Sequence, residues 1–365
     1  MAEPEQTAAP SPLLPARRPA ARTRPVPPTE WESWPDEKLL DLRLCDLGLR
    51  IRGSELLVTC IRELSRELHE RGLRHFRPFF WLSDDWYTPD GVPGVAIPFY
   101  MAHPRLARLE FAHMLEVEGG TQEWCMRILR HETGHALDTA YGLRHRRRRQ
   151  KLFGLSSKKY PEYYTPRPYS RSYVAHLEPW YAQSHPDEDF AETFAVWLTP
   201  DSPWRTRYQG WPVLKKLEYI DALIREIGSL PPRVTTHRPV DPLRRLRRTL
   251  REHYQLKLQR YGVDYPDVYD RDLRRLFSDA PEHRTNPSAL QFIRRIRKEV
   301  RTRVAQWTGE YQYTINQVID EIGKRCRELN LRLAVPEEEA RLEFTVFIAV
   351  QTMHYLHSGR HRVWL

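Results

Sequence analysis

The chain has 365 residues and 43.5 kDa, is 40% hydrophobic and 29% charged, and carries a formal net charge of +10. That size and apolar content suffice for a sizeable core, divided over two domains. No stretch is apolar for the roughly 18 residues of a membrane span, the N-terminus has no apolar signal region, and Cys45, Cys60, Cys125 and Cys326 lack CxxC pairing; the expectation is a soluble cytoplasmic protein with reduced thiols.

Residues 1–33 are rich in Pro, Ala and Arg (SPLLPARRPAARTRPVPP), a composition that builds no core and predicts a disordered leader. A helix is expected from Ser54 to Arg71, with Leu57, Cys60, Ile61, Leu64 and Leu68 as its apolar face and Gly72 as its stop. Short strands are expected at Phe76–Leu82, Gly94–Tyr100 and Ala107–Phe111, with Asp90-Gly91 as a hairpin turn between the first two. Pro98 would restrict its strand to a sheet edge, where a peptide could add as a further strand.

The next element decides the chemistry. His131-Glu132-Thr133-Gly134-His135 lies in a window with Ile128, Leu129 and Ala136 as an apolar face, Thr121 as N-cap and Gly142 as stop, which predicts a helix of about 20 residues. Residues four apart sit about 40° apart on such a helix, so both imidazoles can reach one metal ion while Glu132 points at the water it carries. A catalytic zinc takes three protein ligands and keeps one position open. The HExxHxxGxxH pattern does not supply the third, because Asp138 and Tyr141 stand where it needs glycine and histidine, and His145 lies in an arginine run that opposes a dication.

Between residues 160 and 181 the chain is crowded with tyrosines and prolines, including Tyr160, Tyr173 and Tyr181, a stiffened tract suited to walling a cleft. A second helix follows, with Ser184 or His185 as cap, Pro186 in the first turn, three acids at the positive end of the dipole and Phe190, Phe194, Trp197 and Leu198 as its stripe. Glu188 and Glu192 share a face, a spacing that lets the first bind zinc and the second orient a ligand histidine through its other ring nitrogen; Asp138 is another candidate for that orienting role. Beyond about Leu230 the chain reads as helical and basic. Residues 233–305 hold nineteen Lys/Arg against nine Asp/Glu, a surplus equal to that of the whole chain. Arg244–Arg248 and Arg294–Lys298 interleave cations with apolar residues at helical spacing, which fits a solvated face or a surface for nucleic acid, an acidic protein or anionic lipid.

DLGLRIRGSEL (46–56), WLSDDWYTPDGVPGVAIPFYMAHPRLARLE (81–110), LRHETGHALDTAYGL and SHPDEDFAETFAVWL together resemble, in order, a bacterial family of zinc-binding metallopeptidases of the gluzincin type. The resemblance covers residues 34–228. It implies a zincin-like α+β domain there, with a small sheet and the HExxH helix; the residues beyond it, read by their own pattern, make a mainly α-helical basic domain at 229–365. It also implies that Zn²⁺ is held by His131, His135 and Glu188, with Glu132 as general base. The spacing of Tyr181, Glu188 and Glu192 is similar to that of anthrax lethal factor-like metalloproteases, which implies an oxyanion-stabilising role for Tyr181; Tyr173 and His176 are rivals for it. Peptide or protein is then the substrate. Two other readings stay open: a nucleic-acid-associated protein acting mainly through its basic half, and a structural metal protein with a fourth ligand such as His185.

Overall fold

The computed structural model describes residues 27–161, 167, 170–177, 180–261 and 270–357, excepting the side chains at 260, 261, 270, 271 and 354–357. In chain order the elements are α1 (Pro28–Trp31), α2 (Asp36–Leu40), α3 (Glu55–Glu70), β1 (Phe79–Ser83), β2 (Gly94–Pro98), α4 (Pro104–Met114), α5 (Gln122–Tyr141), α6 (Arg147–Phe153), α7 (Pro186–Leu198), α8 (Trp204–Arg207), α9 (Leu214–Ile227), α10 (Leu250–Tyr261), α11 (Asp270–Leu276), β3 (Phe277–Ser278), α12 (Ala289–Thr308), α13 (Gln312–Glu328), β4 (Arg332–Leu333) and α14 (Glu337–His357). Helix dominates, and among the described residues the strands form two small sheets, a composition compatible with the α+β class. None of the described helices is long and apolar enough to cross a membrane.

Local signals account for several helix ends. Ser54 caps α3 by accepting from Leu57 N at 3.3 Å, and Leu57, Cys60, Leu64 and Leu68 are buried along one stripe. Residues 107–111 are helical rather than extended: Leu106, Leu109, Glu110 and Met114 are buried at helical spacing, Pro104 opens the first turn and His103 Nδ1 accepts from Arg105 N at 3.2 Å. Their alternating polarity is a five-residue coincidence inside a longer helical stripe.

The sheet departs further from expectation. β1 and β2 run parallel, with Phe79 opposite Gly94 and Ser83 opposite Pro98. The Asp90-Gly91 turn, with Gly91 at φ +76°, instead brings Tyr87 antiparallel onto the other side of β2, where its carbonyl accepts from Ala96 N at 2.9 Å. β2 is flanked on both sides and buried throughout, so the free edge expected beside the metal is absent there, and Pro98, which lacks an N–H, ends the strand.

One core runs from Trp31 through α3, the β1–β2 sheet, α5, α7 and α9 to Leu243, Leu250 and Tyr254; a second spans Leu273 to Ile348. The first core thus includes residues up to Tyr254, and the second begins at Leu273. Leu44 N donates to Arg248 O and Leu250 N to Leu42 O, both at 3.0 Å, which stitches the 242–250 stretch to the N-terminal side of the first core. Trp31, within the expected leader, is fully buried and its indole N–H donates to Leu47 O at 3.1 Å. The rest of that leader, 1–26, lies outside the described residues.

The two arginine clusters behave differently. Residues 244–248 leave a single 3-10 turn for extended backbone rather than forming a helix, and Arg248 pairs with Asp84. Arg294–Lys298 does lie on a helix, α12, whose Phe292, Ile293, Ile296, Val300 and Val304 fill the second core. Two of its cations are neutralised at once: Arg295 pairs with Glu337 at 2.9 Å and Arg297 with Asp320 at 2.5 Å.

Candidate metal centre

α5 is capped at its start by Thr121, which accepts from Trp124 N at 3.2 Å, and stopped by Gly142 at φ +63°. α7 begins with Pro186 in its first turn, and His185 Nδ1 accepts from Asp187 N at 3.2 Å. The two helices pack directly on one another. They come close at Gly134, where a methyl group would stand 2.8 Å from Ala191 Cα. Glycine inside the HExxH segment thus lets the ligand faces of the two helices meet.

At that meeting three atoms converge. His131 Nε2 and His135 Nε2 are 3.1 Å apart, and each is 3.1 Å from Glu188 Oε2. Glu192 Oε1 lies 2.8 Å from His131 Nδ1, and its Oε2 accepts from Leu177 N at 2.8 Å. With the Nδ1 proton given to Glu192, His131 turns the lone pair of Nε2 into the triangle. Two imidazole nitrogens and a carboxylate oxygen this close call for positive charge among them, a shared proton or a metal ion. A tetrahedral ion with bonds of about 2.0–2.1 Å separates its ligand atoms by about 3.3–3.4 Å, close to the triangle's sides. This buried His-His-Glu group can bind a metal ion.

The electrostatics agree. Burial pulls His131 toward its neutral form, yet its hydrogen bonds to Glu188 and Glu192 carry it well above the ordinary histidine range. His135 is pulled down by burial and raised on balance by Glu188. Burial pushes Glu188 and Glu192 up, but the histidines hold both below the usual carboxylate range, Glu188 far below. In all four groups attraction outweighs desolvation, so the site demands positive charge, whether protons or an ion.

The other expected residues divide between this triangle and partners elsewhere. Glu132 is 8% exposed, its backbone carbonyl accepts from Thr88 Oγ1 at 3.0 Å, and none of the described residues hydrogen-bonds its carboxylate. The Tyr181 ring lies 5.5 Å from that of His131. Asp138 is not brought to the histidines: its oxygens accept from Arg144 N at 2.7 Å and Arg149 Nη2 at 3.0 Å. His185 spends Nε2 on Lys158 O at 2.7 Å and Nδ1 on Asp187 N, which leaves no nitrogen for a metal. Of the rivals of Tyr181, His176 Nε2 lies 3.0 Å from Arg127 O, and Lys216 Nζ sits 4.4 Å from the Tyr173 ring centre.

Two residues carry more than the sequence revealed. Arg149, one of the run read as repelling a metal, is fully buried between Asp138 of α5 and Asp187 of α7, with Ser156 Oγ at 2.8 Å. Tyr160 donates to Glu188 Oε1 at 2.8 Å and stacks on His185 at 3.7 Å. Both contacts join residues far apart in the chain, and no local pattern announces them. Tyr163, Tyr164 and Tyr169 of the same tract lie outside the described residues. No protein-family description, curated protein or solved structure matches the chain.

Proposed function

We propose that the chain is a zinc-dependent peptidase of the gluzincin type, acting on peptide or protein substrates. One observation carries this reading: three ligand atoms at mutual distances of 3.1 Å, with the charge of Glu132 acting on His135 and no described residue hydrogen-bonding its carboxylate. A zinc ion held by His131, His135 and Glu188 supplies a Lewis acid and brings the pKa of a water molecule toward neutrality. Glu132 accepts the proton of the attacking water and passes it to the leaving amine. Tyr181 donates a hydrogen bond to the developing oxyanion, and Glu192 holds His131 in the tautomer that presents Nε2. The zincin-like arrangement of small sheet, HExxH helix and second ligand helix follows the element order, and four free cysteines suit a reducing cytoplasm.

A closed structural site would need a fourth protein ligand, and His185 is engaged elsewhere. The nucleic-acid reading has no specific observation in its favour, since Arg295 and Arg297 are already paired with acids. The test is Glu132→Gln: near-stoichiometric zinc is expected to remain while cleavage of a proteome-derived peptide mixture falls by about a hundredfold or more, the scale of a lost general base. Equal cleavage by wild type and variant would end the catalytic reading.

A further inference from the structure

Glu188 has two oxygens and the site uses one. Oε2 stands 3.1 Å from both histidine nitrogens, while Oε1 is turned away and accepts from the Tyr160 hydroxyl at 2.8 Å. Tyr160 is in turn aimed by its stack on the His185 ring, with centroids 3.7 Å apart and planes 16° from parallel. That ring cannot turn freely, because Lys158 O and Asp187 N hold its two nitrogens. The chain of support thus runs from the cap of α7, through two stacked rings, to the outer oxygen of the ligand carboxylate.

Packing does not explain this tyrosine. Its side of the molecule leaves it 43% exposed, so the ring contributes little burial, while its hydroxyl is committed to a carboxylate almost wholly out of water. We propose that Tyr160 is a positioning residue that clamps Glu188 in a one-oxygen binding mode, which leaves the fourth coordination position for water and substrate. The proposal rests on the metal reading above. A carboxylate released from the clamp can rotate and offer both oxygens to one ion, as carboxylate ligands do where geometry permits. The second oxygen would then occupy the position that a catalytic site keeps open. Glu192 serves His131 from behind in the same way, so each of these two ligands has its outer atom fixed by a separate partner.

The experiment compares wild type, Tyr160→Phe and Tyr181→Phe in the full chain, using zinc titration against a competing chelator and the visible absorption of the cobalt(II)-substituted protein. Cobalt(II) bands are intense in four-coordinate sites and weak in five-coordinate ones. Tyr160→Phe keeps the stack and loses only the hydroxyl. It is expected to weaken zinc binding by about tenfold or more, the usual loss for a group behind a ligand, and to lower the cobalt band intensity. Tyr181→Phe is expected to leave both unchanged. If Tyr160→Phe binds zinc like wild type with an unaltered cobalt spectrum, the clamp is refuted while the metal site stands. A wild-type chain that takes up neither metal refutes the metal reading and the clamp together.

Discussion

Glu188 and Glu192 are the same residue one helical turn apart, and their different tasks follow from what each turn of α7 faces. Glu188, in the first turn, puts Oε2 between two imidazole nitrogens; Glu192, deeper and fully buried, reaches Nδ1 of His131 and the amide of Leu177. Replacing a ligand removes a bond to the ion, whereas replacing its support only loosens it. Zinc affinity is therefore expected to fall further in Glu188→Ala than in Glu192→Ala, whose loss should lie in the range of about 10 to 100-fold. His185→Ala is expected to keep its metal. Chelator competition on the three variants ranks them, and a Glu188→Ala variant that stays loaded would require a different third ligand.

At the scale of elements, the site depends on how closely α5 and α7 approach. Gly134→Ala places a methyl group 2.8 Å from Ala191 Cα and 3.2 Å from its Cβ, against helix backbone that can give only by separating the helices. Overpacking of this kind costs about 1–3 kcal/mol, and zinc affinity should fall with it as the triangle opens. Arg149 holds the same pair from the other end by bridging Asp138 and Asp187 in a fully buried position. Arg149→Ala strands two carboxylates and is expected to destabilise the fold by about 3–5 kcal/mol in denaturant titration; a loss under 1 kcal/mol would show the bridge to be incidental. The limits of α5 and α7 were legible because caps, a first-turn proline and a terminal glycine act within a few residues of the helix they bound. The triad was legible for a related reason, since spacing on two helices already gathers ligands on one face of each. Strand direction was not: the same Asp90-Gly91 turn can join Tyr87 to β2 or β1 to β2, and only tertiary packing chooses. Tyr160 and Arg149 were illegible too, because their partners lie 28 and 38 residues away and identity alone does not reveal such pairings.

Among the described residues two large cores stand beside a small cluster of Trp81, Val92 and Ala96, and carboxylates at 116 and 118 collect with Glu310. Tyr311, from the second unit, donates to Glu118 Oε1 at 3.4 Å. Burial, then the like charges of Glu118 and Glu310, push Glu116 up to about 8. Burial and the Asp85 charge push Glu118 to about 7, and burial pushes Glu310 to about 7. Unfolded glutamates titrate near about 4.3, so between that pH and about 8 the folded state holds more protons than the unfolded one. The stability linked to these groups is complete below about pH 4 and is lost as the pH rises through about 7 to 8. The thermal midpoint of the zinc-loaded protein is therefore expected to fall from about pH 6 to 8.5, with a shallower fall in a variant carrying Gln at 116, 118 and 310; an identical slope in both would remove these carboxylates as its source. Beneath all of this stands the claim that the convergence of α5 and α7 is a metal centre. Zinc content per chain after dialysis against a weak chelator tests it most directly. About one zinc is expected in wild type and in Glu132→Gln and almost none in Glu188→Ala; a wild-type chain without zinc would rule out a metal centre there, and a Glu188→Ala chain that keeps it would rule out Glu188 as its third ligand.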